Sequence, residues 1–166
     1  MAKRSLSTTN ITPTATADAA ALVDNTYLGA ILGASTTQKT NILEVQMGGI
    51  AAASAPSIML LARDSTAAGT LVAGSTFDAA LDAATAALAA PAVVGNSATT
   101  DPQRSATLHL LNLTFNAFGG IVRWVAAPGE EISIVGNAAS LGEVSLSAFT
   151  GGTPGAMGSH IIYETL

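Results

Sequence analysis

Cysteine is absent from the 166-residue chain, charge is sparse and aromatic side chains are few. The lack of cysteine excludes a disulfide framework and any thiolate metal site. Charged residues make up 10% of the chain, against about 25% in an average soluble domain. The six cations (Lys3, Arg4, Lys39, Arg63, Arg104 and Arg123) are scattered and the net charge is −5, so no basic patch is expected and nucleic-acid binding is not. The two histidines, His109 and His160, are too far apart to form a short metal-ligand motif. No apolar run approaches the ~18 residues of a membrane span. Met1-Ala2-Lys3-Arg4 is followed by Ser-Leu-Ser-Thr-Thr-Asn rather than an apolar stretch, so no secretory leader is expected.

What remains is a chain of small neutral residues. Hydrophobic residues are 49%, much of it alanine, and the mean hydropathy is +0.46. The surface must therefore be built largely from Ser, Thr, Asn, Gly and Ala. Such a surface lacks the charge that keeps proteins dispersed. The composition points to an obligate oligomer or lattice component that hides much of its neutral surface.

No catalytic motif emerges. There is no Gly-x-Ser-x-Gly elbow, and Gly48-Gly49, Gly119-Gly120 and Gly151-Gly152 lack the Gly-Lys-Ser/Thr ending of a phosphate loop. They read as turns. Glu130 and Glu131 are adjacent, so on a strand they point to opposite faces. Asp78 and Asp82 have no third ligand in view. The expectation is a non-enzymatic protein with no cofactor and no metal.

The pattern is that of an all-β chain. Residues 1–26 are rich in Ser, Thr and Ala, and are expected to form an extended or flexible N-terminal arm ahead of a β-sandwich spanning 27–166. Strands are expected near Tyr27–Gly33, Ile42–Met47 and Ser57–Arg63. Residues 76–90 combine a Ser/Thr cap, an alanine run and Pro91, which predicts the one short helix. From Ser105 onward alternation is regular. Ala106–Phe115 puts His109, Leu111, Leu113 and Phe115 on one face. Asn116–Gly120 reads as a turn or bulge, and Ala127-Pro128-Gly129-Glu130 as a type II β-turn. Strands follow at Glu131–Val135, Leu141–Phe149 and His160–Glu164. Short strands parted by Gly, Pro and Asn turns argue for a jelly-roll-like antiparallel sandwich, or a related barrel, with at most one short helix.

Within Ile121–Ala126, Val122 and Trp124 fall on one face and Ile121, Arg123 and Val125 on the other. The only tryptophan is read as the core anchor. Ile121, Arg123 and Val125 then need cover from outside the domain, which makes them the candidate subunit or partner contact. Arg123 is expected to pair with a carboxylate, Glu131 across the turn or an acid of another subunit.

Asn116-Ala117-Phe118-Gly119-Gly120-Ile121-Val122-Arg123-Trp124, the Ala-Pro-Gly-Glu turn and the glycine-rich loop at 151–155 give the chain, over residues 41–166, a pattern that resembles the small β-sandwich decoration or cement proteins of tailed-bacteriophage heads. The resemblance implies a homotrimer on the capsid surface, made in the host cytoplasm, with the major capsid protein as partner and no catalysis. Residues 1–26 would be the shell-contacting arm. It transfers no functional residue. The alternative is a receptor- or glycan-binding sandwich such as a fibre knob.

Overall fold

The computed structural model describes residues 2–12, 27–32, 39–66, 71–72, 76–81, 93–95, 97–98, 103–135, 142–150 and 153–166. Their strands are β1 (Ala2–Ile11), β2 (Tyr27–Leu32), β3 (Lys39–Gly49), β4 (Pro56–Thr66), β5 (Leu71–Val72), β6 (Thr76–Ala80), β7 (Val93–Gly95), β8 (Ser97–Ala98), β9 (Gln103–Asn116), β10 (Ile121–Val125), β11 (Ile132–Val135), β12 (Glu143–Thr150) and β13 (Met157–Thr165). No helix occurs among the described residues.

Two antiparallel sheets pack into a sandwich. The first has the order β10-β3-β13-β1-β6, with β11 also on β3. The second runs β7-β2-β12-β4-β9, and β5 and β8 form a small separate pair. Alternation puts one residue in two into the space between the sheets. There Ile42, Val45 and Met47 of β3 meet Met59 and Leu61 of β4, Leu146 and Ala148 of β12, and Ile161 and Tyr163 of β13. All of these are at most 2% exposed. Val122 and Trp124 pack against this core from β10, as their alternation requires.

Several expectations are corrected. The first strand occupies much of the predicted arm: Ala2–Ile11 lies inside the first sheet, between β13 and β6. Leu6 anchors it in the core at 1% exposure. Residues 13–26 lie outside the described residues. The predicted helix over 76–90 is not formed where it can be followed. Thr76–Ala80 is a strand on β1, with Thr76 opposite Thr8 and Ala80 opposite Arg4. Alanine's helix preference is worth only tenths of a kcal/mol per residue, and a free sheet edge outweighs it. Residues 82–90 are outside the described set.

One further correction concerns register. Leu111 opposes Leu61 while His109 opposes Ala62, so β9 carries one extra residue, Leu110. This bulge turns His109 to the face opposite Leu111, Leu113 and Phe115. Strands β10 and β11 do not pair with each other as a hairpin. Both run antiparallel to β3, on Glu44–Gly48 and Lys39–Ile42 respectively. The residues between them are an excursion from one edge. Its β-turn is as predicted: Glu130 N donates to Ala127 O at 2.9 Å, and Gly129 has φ +88°.

Candidate functional site

The outer face of the first sheet is organised in rungs that cross four strands. Register sets Ser7 opposite His160, His160 opposite Gln46, and Gln46 opposite Arg123. One polar side chain from each of β1, β13, β3 and β10 thus falls in line. The next rung carries Ser5, Ile162, Glu44 and Val125. The rung on the other side has Gly158, Gly48 and Ile121.

Hydrogen bonds knit the first two rungs together. Ser7 Oγ and His160 Nδ1 share a bond of 2.8 Å. Gln46 Nε2 donates to Glu44 Oε1. Arg123 reaches diagonally to Glu44, with Nε donating to Oε1 at 2.8 Å and Nη2 to Oε2 at 2.9 Å. The predicted carboxylate partner of Arg123 is therefore not Glu131. That residue lies in the excursion between β10 and β11, where Glu131 Oε1 accepts from Gly129 N at 3.0 Å. A strand neighbour two positions along β3 is within reach of a long side chain. The Arg123 side chain is 56% exposed and that of Glu44 only 11%. The Arg123 hydrogen bonds, helped by Gln46, hold the Glu44 carboxyl below its ordinary range despite its burial.

The glycine rung leaves a trough. With no side chains at Gly48 and Gly158, an open groove of about 630 Å³ forms, lined also by Ser7, Gln46, His160 and Ile121. A Cβ at Gly158 would sit 2.9 Å from the backbone oxygen of Thr8, so the close approach of β1 at its irregular end requires glycine. Ile50, Gly119 and Gly120 line the groove as well.

This constellation is not built for catalysis of the Ser-His-acid kind. Ser7 meets His160, but both carboxylate oxygens of Glu44 are held by Arg123 and Gln46. Among the described residues no three His, Asp or Glu side chains come together to hold a metal. What the face offers is an apolar margin. Ile121 (69%) and Val125 (52%) are exposed as their alternation implies, and Ile50 after β3, Phe118 in the β9–β10 turn and Val135 at the end of β11 are exposed as well.

The turn between β9 and β10 is tightly tied. Asn116 Oδ1 accepts from Ala55 N and Phe118 N, both at 3.0 Å, and Asn116 Nδ2 donates to Ser54 Oγ at 2.9 Å. Gly49 N donates to Gly120 O and Ala51 N to Ala117 O, each at 3.0 Å. The loop after β3 is thereby laced to the β9–β10 turn.

A second polar cluster lies in the other sheet. Asp64 and Arg104 are opposite each other on β4 and β9, at 0% and 6% exposure. Ser145 Oγ donates to Asp64 Oδ1 at 2.6 Å, and Arg104 Nη1 donates to Ser147 Oγ. Asp64 Oδ2 has no hydrogen-bond partner among the described residues. Burial pushes the Asp64 carboxyl up to about 6, against the pull of the Ser145 hydrogen bond and the Arg104 charge.

The sequence placed Ile121, Arg123 and Val125 on one face, and the structure brings them together there. Sequence reasoning missed Ser7, Glu44, Gln46 and His160. The i, i+2 spacing of Glu44 and Gln46 in an otherwise apolar strand was the one local signal. Set against protein-family models, curated proteins and solved structures, the chain matches none.

Proposed function

We propose that this chain is a structural virion protein: a decoration or cement protein that binds the outside of a phage head, with the major capsid protein as its partner. The observation that carries this reading is the group of exposed apolar side chains on and beside the β10–β11 edge, Ile50, Phe118, Ile121, Val125 and Val135, in which the one charge, Arg123, is paired with Glu44. Large exposed apolar side chains gathered along one sheet edge mark an interaction surface. The low overall charge fits an interface held by burial rather than by steering. The finer fold assignment, a jelly roll, belongs to the same proposal. The orders β1-β13-β3-β10 and β2-β12-β4-β9 support it: counted in chain order, these eight strands lie 1-8-3-6 in one sheet and 2-7-4-5 in the other, the two four-stranded sheets of a double Greek key.

The test is co-sedimentation with shells assembled from the major capsid protein. Wild type is expected to pellet with shells. Ile121→Asp with Val125→Asp, at exposed positions where the fold tolerates polarity, is expected to weaken binding at least ~10-fold, as loss of one to two buried aliphatic contacts implies. Wild type that stays in the supernatant would sink the proposal. It would favour the second reading, a receptor- or glycan-binding module using the glycine-floored groove and its Ser7, Gln46 and His160 rim.

A further inference from the structure

The trough on the outer face of the first sheet has more built into it than two missing side chains. Along its rung the ladders set Ile121 opposite Gly48, and Gly48 opposite Gly158. Beyond Gly158 the register slips. Thr8 pairs with Ser159 and Ile11 with Met157, so two residues, Thr9 and Asn10, face the single Gly158. Asn10 stands there at φ +54°, alone among the described residues other than glycine in having a positive φ. A bulge of this kind re-aims a side chain, and backbone strain collects at ligand sites. Asn10 is exposed and lines the groove.

The groups around the trough keep hydrogen-bonding capacity in hand. His160 Nδ1 is engaged by Ser7, and Gln46 Nε2 by Glu44. His160 Nε2, Gln46 Oε1 and the Asn10 amide have no hydrogen-bond partner among the described residues. Together they supply donors and acceptors. No Lys, Arg, Asp or Glu is among the described residues that line the groove, and the charge of Arg123 is committed to Glu44.

These groups select a neutral ligand. An anion would find no cation in the groove, on a chain of net charge −5, and a cation would find no carboxylate. A peptide strand would find no free backbone, because β3 and β13, which carry Gly48 and Gly158, are each paired on both sides. No aromatic side chain lines the groove to take a proline-rich segment. A saccharide satisfies what is there. Each of its hydroxyls is donor and acceptor at once, and its ring C–H faces are apolar. We propose that the groove binds a neutral oligosaccharide, whose hydroxyls are held by Asn10, Gln46 and His160 and whose ring faces lie on the Gly48–Gly158 floor beside Ile121. The volume of about 630 Å³ lies within the ~300–1,000 Å³ of small-molecule sites. This rests on the glycan-binding reading above and deepens it by fixing the ligand's charge and the residues that hold it. It is measured without shells, so saccharide binding and shell binding can fail separately.

The full chain is titrated with lactose, maltotriose and triacetylchitotriose, each to ~10 mM, and followed by saturation-transfer NMR. At least one is expected to bind with a Kd of ~1 mM or tighter, the range of a small ligand in an open groove. Gly48→Leu tests the place. A Cβ at Gly48 comes no nearer than 3.7 Å to any atom, Gly120 O being the first it meets, so the new side chain fills the trough without moving a strand. It is expected to abolish binding. Asn10→Gly tests the amide, since glycine keeps the left-handed backbone and removes the side chain. It is expected to weaken binding ~10-fold, as loss of a hydrogen-bonding group implies. Binding of none of the three sugars overturns the proposal. So does binding that survives Gly48→Leu, or tighter binding of the anionic sialyllactose than of lactose. Unchanged affinity in Asn10→Gly overturns it as well, a readout that holds even if Gly48→Leu fails to fold.

Discussion

Asp64 is a residue whose environment works against its charge. It is 0% exposed, accepts one hydrogen bond from Ser145 and faces Arg104, and its carboxyl titrates at about 6 rather than at the ordinary 3.8. The folded state therefore binds this proton more tightly than the unfolded chain does. Its contribution is fully present below pH ~3.8 and is lost as pH rises through about 6. A shift of this size corresponds to about 3 kcal/mol. Asp64→Asn keeps the shape and removes the titration. Chemical denaturation from pH 4 to pH 7 is expected to show the variant gaining on wild type by up to about 3 kcal/mol; parallel pH profiles would refute the assignment. Glu44 behaves in the opposite sense. Its carboxyl is held below 4.5 by Arg123, so its contribution is present above that pH and is lost in acid.

At the scale of elements, the β9–β10 corner shows how a short stretch fixes the meeting of two sheets. Two glycines there differ in what they are for. A Cβ at Gly49 would lie 2.0 Å from Ala117 O and 2.1 Å from Ala117 Cα, both backbone. At Gly119 a Cβ meets nothing within 4 Å, and only the φ of +69° is unfavourable. Gly119→Ala should then cost about 1 kcal/mol, the left-handed penalty, whereas Gly49→Ala should cost more than about 4 kcal/mol because the loop must separate from the turn. Thermal denaturation of the two variants decides; equal losses would show that the lacing of loop to turn is not rigid. The corner and its neighbouring β-turn were legible in the sequence because turn chemistry is local. So was the Ile121, Arg123 and Val125 face, because alternation is local too. What was not legible depends on partners. The strand character of β1 and β6 comes from pairing across some 70 residues of sequence, Ser7 with Phe77, and the His109 face depends on a bulge seen only in register. The polar rung of the outer face joins Ser7 to His160, and no window of sequence contains both.

For the molecule as a whole, the position of β13 matters most. It lies between β3 and β1, bonded to both over nearly its whole length, and Tyr163 on it is fully buried. Its partners are therefore made early and it is made late. Until Met157–Thr165 arrives, β1 and β3 cannot be joined, and Leu6, Val45 and Met47 have no inner strand beside them. Non-local pairing of this kind folds slowly, over milliseconds to seconds. Chains arrested on the ribosome with residue 156 as the last outside the exit tunnel should be digested by protease, and chains extended through residue 165 should resist it; equal resistance would show that the sandwich closes without its central strand. During synthesis, then, β1 and β3 each keep one unpaired edge until the single strand that lies between them has been made. An unpaired strand edge is a template for any extended segment, so the order of synthesis leaves this sheet open to wrong pairing for as long as its middle strand is missing.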